Sequence, residues 1–331
     1  MSTEARQVPW LLYLVFVVIG AGVAVILTVV EGDAEGMTPA GWAAVIIGFA
    51  PLIGAQLALG IPSAAQKVQV WLQATRRPLL HTGLGVAVIW LVVQLLSGKF
   101  DPYMTVVVGL GLLAALGALR QVQRGQRGLT WVDVAVWLLL WIPFDLRWIY
   151  DLGGDYNWWS IAISVIAVIG WYGLRELPEF GYRLVPHWRD IAIAVIATAV
   201  FAAIVIPIGL AIDFLTWPPS EPPQLLRSLL LFVGIFLTVS IPEELFFRGI
   251  LLHGLDQMGG RKWVNLLMVS FFFGLMHWNN VDDLTTKIAY TALATLAGVF
   301  YGWAYRRSGN NILAAAITHT LVDVIWATFL Q

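Results

Sequence analysis

The sequence contains no cysteine and few charged residues. Of its 331 residues, 59% are hydrophobic and 12% are charged, which is about half the charged fraction of a soluble domain. The absence of cysteine excludes disulfides, thiolate metal sites and a cysteine nucleophile. A net charge of −1 gives no reason to expect nucleic acid as a partner. This composition, with its 17 tryptophans, predicts an integral membrane protein whose partners include the lipid bilayer.

Long apolar runs occur along the whole chain. A spanning helix needs about 20 mainly apolar residues, and about eleven runs approach that length. The sequence therefore predicts an all-α, polytopic helical bundle in the membrane. The candidate spans are 10–30, 41–60, 79–97, 103–119, 131–144, 158–173, 190–212, 226–255, 263–278, 287–305 and 311–330.

The loops between these spans alternate in charge. Lysine and arginine follow the even-numbered spans, whereas aspartate and glutamate occupy most of the intervening loops. Because basic loops stay in the cytoplasm, this pattern predicts a cytoplasmic N-terminus and an external C-terminus. Asp133 lies near the start of the fifth span and is interpreted as solvated.

Ionisable residues within predicted spans concentrate in the C-terminal third. Such residues are energetically costly in a membrane and are usually functional. The candidates are Glu243, Glu244, Arg248, His277, His319 and Asp323.

The stretch IPEELFFRGI places several of these residues on one helix. Glu244 and Arg248 are spaced i,i+4, so they share a helix face and can neutralise each other. Glu243 is rotated about 100° away, so it must find a partner on another helix or be protonated. Pro242 removes a backbone donor beside the glutamates, which predicts a kinked helix next to a water-accessible cavity.

Three helices are expected to bring polar side chains to comparable depth. Helix geometry places Glu243 at ~18 Å, His277 at ~21 Å and His319 at ~12 Å from the cytoplasmic ends of their helices. A carboxylate and two imidazoles can form a buried active site. They can also form a zinc site with an open position, although no HExxH motif is present. A reaction without a cofactor is the favoured expectation, and zinc bound by these three residues is the alternative.

Three motifs in this order resemble one known family. EExxxR (Glu243, Glu244, Arg248), FxxxH (Phe273, His277) and HxxxD (His319, Asp323) are similar to the CAAX protease and bacteriocin-processing (CPBP) family, which includes the type II CAAX prenyl proteases. The resemblance covers roughly 225–328. It divides the chain into an N-terminal multi-span region of unassigned role, 1–212, and a protease-like core, 213–331.

This resemblance implies an intramembrane endopeptidase in a membrane that is expected to be prokaryotic. Its substrate would be a membrane-associated or lipidated protein or peptide. By the same resemblance, Glu243 is the general base and His277 helps to position the water. Glu244 and Arg248 are a supporting pair, and His319 donates to the developing oxyanion.

Asp323 departs from the family pattern. The family's prenyl proteases usually have asparagine at this position, and an ionised aspartate cannot donate a hydrogen bond. Asp323 must therefore be protonated, or it orients His319 by accepting its N–H.

Two other classes of function remain open for this sequence. The chain could be a non-catalytic membrane scaffold or a bacteriocin-immunity protein that keeps the fold, with EExxxR as a buried ion pair that fixes helix packing. A transporter is third, because intramembrane carboxylates and histidines also form proton relays. The sequence lacks the two matching halves of common transporters.

Overall fold

The computed structural model describes residues 10–30, 35–75, 77–146, 156–220 and 222–330. All regular secondary structure in these ranges is helical, which confirms the predicted all-α class. The described helices are α1 Trp10–Val30, α2 Pro39–Leu59, α3 Pro62–Ala74, α4 Pro78–Leu96, α5 Pro102–Gln121, α6 Trp131–Asp145, α7 Tyr156–Ala167 with a π-helical continuation Val168–Leu174, α8 Trp188–Ala211, α9 Leu225–Met258, α10 Lys262–Leu275, α11 Leu284–Arg307 and α12 Ile312–Phe329.

Each predicted span coincides with a described helix, but the helices differ in length and polarity. Seven helices in the described residues are long and apolar enough to cross a membrane: α1, α2, α5, α7, α8, α9 and α12. Helices α6 and α10 have only 15 and 14 residues. The chain is thus an integral membrane protein, while the number of about eleven spans stays a prediction.

Helix α3 has no counterpart among the predicted spans. It is a 13-residue helix that begins at Pro62 and buries Ala64, Ala65 and Leu72. Proline is favoured in the first turn of a helix because its missing N–H would have no partner there. Glutamines and a lysine interrupt the apolar residues of α3, so a search for apolar runs treats the segment as a loop.

Polar caps fix the starts of other helices. The Asp101 side chain accepts a hydrogen bond from the Met104 N–H at the start of α5, and Asp283 caps α11 in the same way. Hydrogen bonds from the backbone and hydroxyl of Thr286 lower the pKa of the exposed Asp283 carboxyl.

The chain divides into two compact units, Met1–Leu184 and Val185–Gln331. Helices α1 to α7 form the first unit and α8 to α12 form the second. Helix α8 therefore belongs with the second unit by its packing, although the boundary drawn from the sequence at 212/213 groups it with the N-terminal region. The extent of the functional domain stays a prediction.

Helix α7 is the buried centre of the first unit. Its residues from Trp158 to Val168 are almost all buried, and it contacts α2, α4 and α6. The Trp158 indole N–H donates to the Gly48 carbonyl of α2 at 3.2 Å. A helix that is apolar on all sides needs neighbours on all sides, and α7 has them.

Asp133 is buried in this unit, so the expectation that it is solvated is wrong. Its side chain is fully inaccessible, and its Oδ1 lies 2.6 Å from Nε of the equally buried Arg175. The Trp171 indole N–H donates to the same oxygen at 2.9 Å. The backbone N–H and hydroxyl of Thr130 donate to Oδ2 at 2.7 and 2.8 Å. The charge is compensated by an arginine that follows 42 residues later (175 − 133), so no local pattern predicts the pair.

Replacing Asp133 by asparagine is expected to destabilise the protein by about 3–5 kcal/mol, because it leaves the Arg175 charge buried and unpaired. The free energy of unfolding in detergent measures this change. The matched control is Glu179→Gln, which breaks the exposed pair with Arg127 and should cost about 0–1 kcal/mol. Equal losses for both variants would contradict a structural role for the buried pair.

The second unit packs through small residues. Ile193 and Ala197 of α8 form a buried cluster with Ala304 of α11 and Ala314 of α12. Gly274 sets the distance between α10 and α11, because a Cβ at this position would lie 2.5 Å from the Thr291 carbonyl oxygen. This close approach fixes the end of α10 that carries His277.

Candidate active site

The two glutamates lie on a short α-helical turn within an otherwise π-helical part of α9. The turn is Ile241–Glu244, preceded by the π-helical segment Phe236–Ser240 and followed by Leu245–Leu252. Pro242 provides no backbone donor, so regular i→i−4 bonding is interrupted here. The sequence predicts a kink at Pro242, and the structure has an α-helical turn between two π-helical segments there. π-Helical turns of this kind are frequent at functional sites.

Glu244 joins α9 to α12. Its Oε1 accepts a hydrogen bond from Arg248 Nη1 at 2.8 Å and one from His319 Nδ1 at 2.9 Å. Glu244 and Arg248 are fully buried, and His319 is 3% exposed. Since a carboxylate only accepts, Nδ1 of His319 carries the proton of this bond.

Arg248 is held from two further helices. Its Nη2 donates to the Gly298 carbonyl of α11 at 3.0 Å. The guanidinium carbon lies 4.4 Å from the ring centre of Phe273 on α10 and 5.3 Å from that of Tyr301 on α11. These contacts fix the guanidinium and add cation–π stabilisation in a desolvated site.

The second ring nitrogen of His319 lies between two carboxylates. Nε2 is 3.4 Å from Asp323 Oδ2 and 3.9 Å from Glu243 Oε2. The ring of Tyr301 stacks on the imidazole, with centroids 4.6 Å apart and an interplanar angle of 15°. The imidazole is therefore fixed by Glu244 at one nitrogen and by Tyr301 on its face, while Nε2 points toward Glu243 and Asp323.

Glu243 differs from its neighbour Glu244 in its contacts. It is 8% exposed, and its Oε2 has no hydrogen-bond partner within the described part of the chain. Its nearest charged contact there is His319 Nε2. Oε2 of Glu244 likewise has no such partner, but Oε1 of Glu244 is bonded twice, whereas the ion-pair contact of Glu243 is the 3.9 Å one to His319.

His277 lies just beyond the C-terminal end of α10. Its Nδ1 donates to the Phe273 carbonyl at 2.9 Å, and its ring packs against those of Phe273 and Tyr290. Within the described residues, no hydrogen bond or ion pair joins His277 to Glu243. The structure therefore brings five of the six candidates into direct contact. His277 shares a cavity with two of them, His319 and Asp323.

That cavity has a volume of about 90 Å³ and is lined by α8, α10, α11 and α12, together with Phe214 and Leu215. This is enough space for several water molecules. Three of the six candidate residues line it, and Glu243 is not among them. The lining includes His277, His319, Asp323, Phe273, Tyr290, Tyr301 and Trp326.

The alternative zinc site is not assembled in the described residues. No three histidine, cysteine, aspartate or glutamate side chains there are grouped as a metal ion requires. A zinc site needs ligand atoms about 2.0–2.2 Å from one point. Glu243, His277 and His319 are not grouped in this way in the described residues, and the choice between a reaction without a cofactor and a zinc site stays a prediction.

Tyr301 and Gly298 are site residues that the motifs do not reveal. Both lie on α11, which carries none of the three motifs, and they contact His319 and Arg248 through tertiary packing. A Cβ at Gly298 would lie 3.0 Å from Cβ of Ser270. The sequence signal at Gly298 is a small residue within a predicted span, which indicates close helix approach but not its purpose.

The second unit is a membrane-embedded helical bundle with a buried carboxylate–imidazole–guanidinium cluster beside a cavity. Residues 225–325 match the family model for type II CAAX prenyl endopeptidase Rce1-like proteins. The match supports the CPBP family for this segment of the chain, in agreement with its motifs. The match includes all six candidate residues and excludes α1 to α8. No curated protein and no solved structure matched the chain.

Proposed function

We propose that the chain is an intramembrane endopeptidase that hydrolyses a peptide bond of a membrane-associated or lipidated protein or peptide. The family match supports a peptidase with a substrate at the membrane. The observation that carries the proposal is the position of His319. Its Nδ1 donates to Glu244, its Nε2 lies 3.9 Å from Oε2 of Glu243, and the residue lines the cavity.

Glu243 is the general base in this proposal. Its unbonded Oε2 takes a proton from a water molecule bound near His319, and the water oxygen then forms a bond to the scissile carbonyl carbon. When the carbon–nitrogen bond breaks, Glu243 returns the proton to the leaving amine nitrogen. Atoms and charges balance without a further reactant.

His319 is the oxyanion donor. As an imidazolium it donates from both nitrogens, with Nδ1 held by Glu244 and Nε2 directed at the developing oxyanion. Asp323, 3.4 Å from Nε2, orients the ring and offsets its charge until the carbonyl oxygen becomes negative. This assigns Asp323 the orienting role and not that of a donor.

His277 positions the attacking water. Because its Nδ1–H is donated to Phe273, its Nε2 is an acceptor and can bind a water hydrogen within the cavity. A water between His277 and Glu243 would join two residues that make no direct contact. In the same proposal the N-terminus is cytoplasmic, the C-terminus is external, and the membrane is prokaryotic.

Chelation is expected to leave the reaction unchanged. Purified protein would be assayed with membrane-anchored reporter peptides, with and without a prenyl group, before and after treatment with a chelator. We expect cleavage without stoichiometric metal, since the described residues do not form a zinc ligand set. A zinc metalloprotease that cleaves the same reporter is the control for chelator action. Stoichiometric zinc with chelator-sensitive cleavage would replace this mechanism, and partner binding without any cleavage would favour the scaffold.

A further inference from the structure

An apolar groove lies between α8 and α11, away from the residues of the catalytic proposal. It has a volume of about 330 Å³ and an almost wholly apolar lining. We call it the α8–α11 groove. It is lined by Ile196, Ala197, Val200, Val299, Phe300 and Trp303. Ile196 and Val200 are 55% and 47% exposed, so the groove is open to the surroundings of the protein.

Two arginines stand at one end of this groove. Arg189 lies two helical turns before Ile196 on α8, and Arg307 lies one turn after Trp303 on α11. Each arginine is therefore on the same face of its helix as the residues that line the groove. Nη2 of Arg189 lies 3.4 Å from the carbonyl oxygen of Arg307. The Arg189 guanidinium therefore lies against the backbone of Arg307 at the end of the groove.

These arginines are available to a ligand anion. Both are exposed, and within the described residues neither forms an ion pair with a carboxylate. The nearby acids are occupied, since Asp256 binds Arg306 at 2.8 Å and the buried Asp190 accepts from Asn311 at 3.1 Å. The end of the groove thus has an excess of positive charge.

The dimensions match one leaflet of a bilayer. Eleven residues separate Arg189 from Val200 (200 − 189), a distance of ~16 Å along the helix. Half of the hydrocarbon core is ~15 Å. Trp188 is 81% exposed beside Arg189, and exposed tryptophans at helix ends mark the level of lipid headgroups.

We propose that the α8–α11 groove with Arg189 and Arg307 binds one anionic phospholipid, with its phosphate between the two guanidinium groups and an acyl chain in the groove. Arginine pairs suit phosphate because each guanidinium presents a planar set of donors. The basic loops place this end in the cytoplasmic leaflet, where anionic lipids attract basic residues. The proposal does not depend on the peptidase function.

Native mass spectrometry of the full-length protein in mixed phosphatidylglycerol and phosphatidylcholine tests this site. The double variant R189Q/R307Q is expected to lower the affinity for phosphatidylglycerol about 25-fold, since each basic residue contributes about fivefold. The matched control is R261Q/K262Q, which removes the same charge at the same end of the bundle but outside the groove. It should retain most of the affinity.

A second variant tests the groove without changing charge. Val200→Trp fills the lipid-exposed groove and is expected to weaken lipid retention while both arginines remain. Free glycerol phosphate, which has the anion but no acyl chain, should not displace the lipid. Equal losses for the two double variants, unchanged retention by Val200→Trp, or displacement by glycerol phosphate would each overturn the proposal.

Discussion

Glu243→Gln is expected to lower the rate of reporter cleavage by about 10²–10⁴-fold, the usual contribution of a general base. Glutamine has nearly the same shape but cannot take a proton from water. Oε2 of Glu243 has no hydrogen-bond partner in the described part of the chain, so the substitution breaks no hydrogen bond at that atom and removes only the 3.9 Å ion-pair contact with His319. The free energy of unfolding should therefore change little. Cleavage and unfolding are measured on the same preparation.

Glu244→Gln separates this effect from a structural one. Glu244 accepts from both Arg248 and His319, so its replacement should lower stability as well as activity. Glu179→Gln, on an exposed pair with Arg127, should change neither. If Glu243→Gln kept most of its activity, Glu243 would not be the base. If it lost stability as much as Glu244→Gln did, the two carboxylates would share a packing role and the scaffold would be favoured.

Much of the architecture could be predicted because its signals are local. Apolar runs located the helices, since each run must be buried in protein or lipid wherever it lies. The i,i+4 spacing of Glu244 and Arg248 predicted their contact, which the structure has at 2.8 Å. Gly274 lies within a predicted span, and its approach to Thr291 shows why only glycine fits there.

The remainder depended on contacts between distant segments. The interpretation of Asp133 as solvated is wrong because its ion-pair partner, Arg175, lies 42 residues later in the chain (175 − 133). No sequence motif marks Tyr301 as a site residue, because its stacking on His319 results from the packing of α11 on α12. Depth calculated for straight α-helices placed Glu243 and His277 near each other. It could not give side-chain direction where α9 is π-helical and where α10 ends before His277.

Arg248→Met is expected to destabilise the protein by about 3–5 kcal/mol, because it leaves Glu244 buried without its cation. Arg248→Lys should rescue little of this loss. A lysine has one compact ammonium group, whereas the guanidinium reaches both Glu244 and the Gly298 carbonyl and lies over Phe273. The free energy of unfolding in detergent, with Arg127→Met on an exposed pair as the control, measures both changes.

The double variant E244Q/R248M distinguishes pairing from packing. If the two charges stabilise each other, removing both should cost less than the sum of the single losses, by about 0.5–3 kcal/mol. Strictly additive losses would show that Arg248 acts through its contacts with Phe273 and Gly298 alone. Cleavage should not recover with stability, because Nδ1 of His319 would still lack the carboxylate that holds it. A double variant that regained stability but not activity would thus assign Glu244 to the positioning of His319, independently of the ion pair.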